Sequence, residues 1–262
     1  FDGDGHSIWD LNHQSNYHIL GLFGKLGDGA LIENLTIASG ELGVAGNNNT
    51  VGGIAAQVVS GATVTIRNCH NYATLNGLWG IGGILGEVED HAHAVVENCS
   101  NHGKIFAAYT GGGIIGQVGP NRWKNNGSSA TVTNCYNTGE LGGAGRWGLG
   151  GIIGSFRLGG TDTSSIQNCY NTGVVREAES SGAILGSICE ATVRMDHVYF
   201  LDSCNSKISG IFDDGGSDVP GTLTGNGLAK TEADMKSEDF VTVLGEAFCA
   251  DRELFNSAYP VL

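Results

Sequence analysis

Residues 51–86 read VGGIAAQVVSGATVTIRNCHNYATLNGLWGIGGILG, and two strings inside that stretch decide the fold. The first is a glycine pair followed by an aliphatic residue, Gly52-Gly53-Ile54. It returns at Gly82-Gly83-Ile84, Gly112-Gly113-Ile114 and Gly150-Gly151-Ile152, and in worn form at Gly182-Ala183-Ile184. The second is Asn68-Cys69-His70-Asn71, which returns at Asn98-Cys99-Ser100-Asn101, Asn134-Cys135-Tyr136-Asn137 and Asn168-Cys169-Tyr170-Asn171. The two strings alternate strictly. An earlier copy reads Leu20-Gly21-Leu22-Phe23 followed by Glu33-Asn34-Leu35, and a late one Gly186 followed by His197-Val198-Tyr199-Phe200. The period of roughly 30 to 38 residues lies in the range of solenoids.

The repeating unit is not helical. Between the markers stand short β-branched runs such as Ala62-Thr63-Val64-Thr65-Ile66 and Ala130-Thr131-Val132-Thr133, with Gly, Asn or Ser at or near their ends. These are strand and turn signals. They predict an all-β, single-stranded parallel β-solenoid (β-helix) of about six coils, with coils spaced about 4.8 Å apart and rising about 29 Å in all. Stacking places like on like. Asn34, Asn68, Asn98, Asn134 and Asn168 are expected to form one ladder of side-chain amides, and Asn71, Asn101, Asn137 and Asn171 a second. Asn also tolerates the left-handed bends between strands. The glycine pairs allow sharp turns or close packing where no β-carbon fits.

Composition agrees. Of 262 residues 44 are Gly and only 3 Pro, with 15% charged and 40% hydrophobic. Collagen needs far more Pro, and a disordered chain fewer apolar residues. The net charge of −14 argues against a nucleic-acid surface and against anionic membranes, so no nucleic-acid partner is expected. No apolar run is long enough to span a bilayer, and the chain opens as if in mid-domain, so we expect no direct membrane insertion and flanking domains in a longer chain. Seven Cys cannot all pair with one another. Cys69, Cys99, Cys135 and Cys169 recur at one repeat position and read as a column of small buried thiols.

The strings quoted above resemble the GLUG-motif repeats of bacterial surface proteins. The opening Phe1-Asp2-Gly3-Asp4-Gly5-His6-Ser7-Ile8 resembles the lead-in of such arrays, and MKSEDFVTVLGEAFCADRELFNSAYPVL (235–262) their closing segment. The resemblance implies an extracellular or cell-surface setting, since such repeats occur in large adhesin-like proteins and near the N-terminal part of some secreted immunoglobulin-A metalloproteases. It carries no catalytic motif.

The repeats are expected over 1–204, and 205–262 as a small α/β cap with short helices. Thr231 and Ser237 are plausible N-caps and Gly245 a helix end. A solenoid needs its last edge covered, which is the role expected of 230–262.

Five places invite a functional reading. Trp79, Tyr109 and Trp147 stand five residues before the marker Ile in successive coils, with Asn49 and Glu179 at the flanking positions. Stacked, they would form a flat strip suited to sugar rings. A buried structural stack is the plainer reading. Trp123, in the long insertion between Gln117 and Ala130, is a further ligand candidate. Glu87, Glu89, Asp90, His91 and His93 gather acids beside a His-x-His pair. A transition metal on Glu89, His91 and His93 is weighed there against an ordinary surface loop. Asp2-Gly3-Asp4-Gly5 leaves room for Ca2+ but reads more simply as a turn, so no cofactor is firmly implied. Gly80-x-Gly82 opens no helix and is set aside.

Parallel β-helices also include glycoside hydrolases and polysaccharide lyases. Such enzymes need fixed carboxylates or a base with a cation. The early acids Glu33, Glu41, Glu87, Glu89 and Glu97 are not expected to recur in one column with Lys or Arg. The leading expectation is a non-catalytic, adhesin-like segment that binds a host or environmental glycan or a surface protein, or acts as a spacer. A carbohydrate-active enzyme, or its accessory domain, is the alternative.

Overall fold

The computed structural model describes residues 1–14, 17–43, 50–119, 127–157, 163–208 and 221–262. Every pairing between its named strands is parallel, and the strands sort into four sheets that run the length of the molecule. One coil shows the plan. Thr63–Asn71 lies in the first sheet, Thr74–Gly77 in the second, Gly80–Gly82 in the third and Leu85–Val88 in the fourth, and His93–Glu97 returns to the first. The result is a solenoid of about seven turns, one more than the six expected, with few helices. The extra turn begins with Asp2–Ile8, which pairs with Leu31–Ile37.

Each long strand of the first sheet bends at one residue. Asn34, Asn68, Asn98, Asn134 and Asn168 all have φ between 50° and 57°. In this left-handed region Asn costs less than most residues, because its short amide bonds locally. His197 takes the same bend in a later coil, at φ 51°.

The interior is a set of aliphatic columns. Ile54, Ile84, Ile114, Ile152 and Ile184 form one and Ile66, Val96, Val132 and Ile166 another, all fully buried. Fully burying one such side chain is worth roughly 1.5–3 kcal/mol. Beside them run Cys69, Cys99, Cys135 and Cys169, buried thiols whose Sγ–H groups point to the carbonyls of Arg67, Glu97, Thr133 and Gln167. All seven cysteines are free, and Cys249 alone is exposed.

The two asparagine ladders differ in exposure and direction. In the outer one, Asn34 Nδ2 donates to Asp2 and Asn68 to Asn34, each at 3.0 Å. Further on Asn134 donates to Asn98 and Asn168 to Asn134, so it points toward the N-terminus. In the inner one, Asn71 donates to Asn101, Asn101 to Asn137 and Asn137 to Asn171, each at 2.8 Å, toward the C-terminus. Each inner amide also donates to a carbonyl two residues on, for example that of Gly103 at 2.9 Å. Those side chains are wholly buried, so each unmade bond would be costly.

The repeating layer runs beyond residue 204, since Thr222–Lys230 pairs in parallel with Thr192–Leu201. Two short helices follow, α1 (Glu232–Met235) and α2 (Glu238–Leu244). Thr231 caps the first in a capping box with Asp234, Ser237 caps the second, and Gly245 ends it at φ 98°. Met235, Phe240, Leu244, Phe248 and Tyr259 pack on Tyr136, Tyr170 and Tyr199 of successive coils. The segment therefore lies along the flank of the first sheet. The reason is chemical: those tyrosines stand on the outer face, and Tyr136 and Tyr170 are stacked 4.9 Å apart. Together they make a broad apolar strip that needs cover.

Candidate functional site

Trp79, Tyr109 and Trp147 meet just outside the third sheet, where Tyr109 N donates to Leu78 O and Trp147 N to Tyr109 O. Trp79 and Tyr109 are stacked at 4.2 Å and 5°, and Trp147 lies 4.3 Å from Trp79 and 4.8 Å from Tyr109, tilted by 46° and 47°. The three rings therefore form a compact, half-buried cluster instead of the flat strip expected. Trp79 and Tyr109 turn their faces to each other because coils are about one ring thickness apart, so a ligand meets mainly edges. The guanidinium of the buried Arg157 lies 4.1 Å from the Trp147 ring centroid, and that of Arg146 5.8 Å from Tyr109. Both are cation–π distances. Arg146 also pairs with Glu179 at 3.7 Å. Asn49 and Trp123 lie outside the described residues.

Next to this cluster, a polar column runs through the fourth sheet as Gln57, Glu87, Gln117 and Ser155. Glu87 is 7% exposed. Its carboxylate accepts bonds from Thr50 Oγ1 at 3.0 Å and Gln57 Nε2 at 3.1 Å. Burial pushes its pKa up, against those two hydrogen bonds. The same Gln57 amide donates to Glu89 at 2.7 Å, and Ser60 Oγ closes on Glu89 at 2.8 Å.

Those contacts bear on the metal reading. Glu89 is turned toward Gln57 and Ser60, His93 Nδ1 bonds Ser129 Oγ at 2.7 Å, and His91 occupies a turn at φ 59°. Among the described residues no three His, Cys, Asp or Glu side chains converge on a metal position. Glu89, His91 and His93 are thus not brought together, because Glu89 and His93 bond side chains of neighbouring coils and His91 sits in a bend. Asp2 likewise has a structural role. Its Oδ1 accepts from Asp4 N at 2.8 Å and from Asn34 Nδ2 at 3.0 Å, so it closes a turn and starts the outer ladder. Those bonds, Asp4 first, lower its pKa.

One site escaped the sequence reading. On the flank of the first sheet, His70 Nδ1 bonds Ser100 Oγ at 2.8 Å, Ser100 Oγ bonds His102 Nε2 at 3.0 Å, and His102 Nδ1 bonds Thr138 Oγ1 at 2.9 Å. Tyr72 stacks on His102 at 4.3 Å and 3°. Burial, with some help from His70, pulls the His102 pKa down to about 4. The signal lay inside the second marker string. Its variable residues His70, Ser100 and Tyr136, with Tyr72 and His102 just beyond, form columns of their own.

The fold and these surfaces define a parallel β-solenoid with aromatic clusters on its outer faces. A crystal structure described as a "putative immunoglobulin A1 protease from Bacteroides ovatus" shares this fold, with TM-score 0.63 and 20% identity over 100% of this chain and 76% of that one. No family model matches the chain, and no curated protein does.

Proposed function

We propose that this chain is an adhesin-like, GLUG-type binding or spacer segment of a bacterial surface or secreted protein, with a glycan or a surface protein as partner. The observation that carries the reading is the Trp79–Tyr109–Trp147 cluster, three half-buried rings held outside the interior by consecutive coils. Aromatic clusters on a rigid scaffold suit recognition, since their contact surface costs little side-chain entropy on binding. The solenoid supports the same reading, because repeats that contact only their neighbours make a stiff, extended platform. The likeness to a protein described as an immunoglobulin A1 protease favours a place outside the cell and makes immunoglobulin one protein partner to try.

The test is a glycan array and a surface-protein array probed with the chain and with its Trp79→Ala/Trp147→Ala variant, circular dichroism confirming that both fold. Binding lost in the folded variant sustains the cluster as the contact surface. No binding on either array leaves the spacer role.

A further inference from the structure

The outer flank of the first sheet carries the column Thr36, His70, Ser100, Tyr136, Tyr170 and Tyr199, each paired in register with the next. The C-terminal segment covers its last three members. Where the cover stops, a groove of about 230 Å3 opens between the solenoid residues His70, Tyr72, His102 and Tyr136 and the C-terminal residues Phe255 and Asn256.

We propose that this groove is a carbohydrate subsite for a single uncharged pyranose ring. The proposal rests on the reading of the chain as a binding segment and deepens it by naming a different place and a ligand class.

Tyr72 supplies the platform. It is 48% exposed, and among the described residues the only ring stacked on it is His102. On the other side its neighbour in the preceding coil is Ala38, because Ile37 pairs with Asn71 and Tyr72 N donates to Ile37 O. Ala38 offers only a methyl group, so among the described residues no ring stacks on that face. The C–H face of a pyranose is the complementary shape. Phe255, 83% exposed, stands at the rim as a second apolar wall.

The polar groups suit hydroxyls. His102 has both nitrogens engaged and acts as fixed backing. His70 uses Nδ1 on Ser100, leaving Nε2 for a ligand. Asn256 donates through Nδ2 to Tyr170 Oη at 2.8 Å and to Pro260 O at 3.3 Å, leaving Oδ1 as acceptor. A sugar hydroxyl both donates and accepts, and so matches either atom.

Charge and size narrow the ligand further. Among the described residues the lining side chains, which also include Val261 and Leu262, contain no Asp, Glu, Lys or Arg. Burial lowers the pKa of both His70 and His102, which disfavours a positive charge that would attract an anion there. The volume falls below the roughly 300–1,000 Å3 of sites for drug-sized molecules, which fits one ring.

The experiment is saturation-transfer NMR of the chain with methyl pyranosides of glucose, galactose, mannose, N-acetylglucosamine and N-acetylgalactosamine, beside glucuronate. At least one neutral glycoside should receive transfer, strongest on its ring C–H protons, and glucuronate none. Tyr72→Ala should weaken binding about tenfold or more, Tyr72→Phe should preserve it, and Trp79→Ala/Trp147→Ala should leave it unchanged. Circular dichroism checks each fold. Silence from every pyranoside, or undiminished binding by folded Tyr72→Ala, overturns the subsite. Loss confined to the tryptophan variant also overturns it while sustaining the broader binding reading, and the protein array tests that reading independently.

Discussion

Gly83 lies directly against Asn101: a β-carbon on Gly83 would stand 2.5 Å from Asn101 Cγ and 2.1 Å from the Gly113 carbonyl oxygen. The same holds for Gly53 with Asn71, Gly113 with Asn137 and Gly151 with Asn171. The two marker strings alternate along the chain because they meet in space: the second glycine of each pair makes room for the buried ladder amide. In the next coil Phe200 takes the ladder position beside Asn171, and the glycine position is Ala183. The glycine is relaxed where the ladder has ended.

Gly83→Ala should therefore destabilise the chain by about 1–3 kcal/mol or more, the range of overpacked cores. Gly24→Ala, with nothing near its would-be β-carbon, should stay within about 0.5 kcal/mol. Urea unfolding midpoints of the two variants check the contrast.

The two ladders should respond differently to glycine. Asn168 bends at φ 50° in the outer ladder, and Asn168→Gly keeps that conformation accessible. Asn137→Gly strips the inner ladder of bonds to Asn101, Asn171 and Gly139. Each buried polar group left unpaired costs about 1–3 kcal/mol. The inner variant should unfold at clearly lower urea. Equal midpoints would show that the inner bonds contribute little.

His102 sets a pH dependence. Its folded pKa of about 4 lies below the ordinary histidine value of 6.5, so between those values the native state binds fewer protons than the unfolded chain. Stability should fall as pH drops from about 6.5 toward 4. His102→Gln should flatten that slope in unfolding curves taken across the window.

Glu87 acts in the opposite sense. Burial raises its pKa above 4.5, so the native state holds its proton longer, and stability declines as pH rises through the range above 4.5. Glu87→Gln matches the Gln57 and Gln117 of neighbouring coils. Its midpoint should gain on the wild type from pH 4 to pH 7. A constant difference across that range would show that Glu87 does not titrate in it.

Phe240→Ala opens the contact with Tyr170 and Tyr199 under α2. It should cost about 3–5 kcal/mol of the flank's packing and raise proteolysis within 231–262. Cleavage unchanged in rate would show that the flank is held elsewhere.

The repeat, the parallel stacking and the two ladders were legible in the amino-acid sequence alone, because a solenoid sets each residue against its own counterpart one coil away. Periodic spacing is then equivalent to contact, as for Asn101 and Asn137. The N-caps Thr231 and Ser237 were legible for a similar reason, since a cap is a local bond. Only the tertiary structure decided matters of direction. It turned Trp79, Tyr109 and Trp147 into a cluster, because ring orientation depends on what Arg157 and the next coil leave open. It drew Glu89 and His93 onto Gln57 and Ser129, contacts that cross coils. It also laid residues 231–262 along the tyrosine flank. The apolar strip of Tyr136, Tyr170 and Tyr199 on which that segment packs exists only once the coils are stacked, a property that no single stretch of the chain contains.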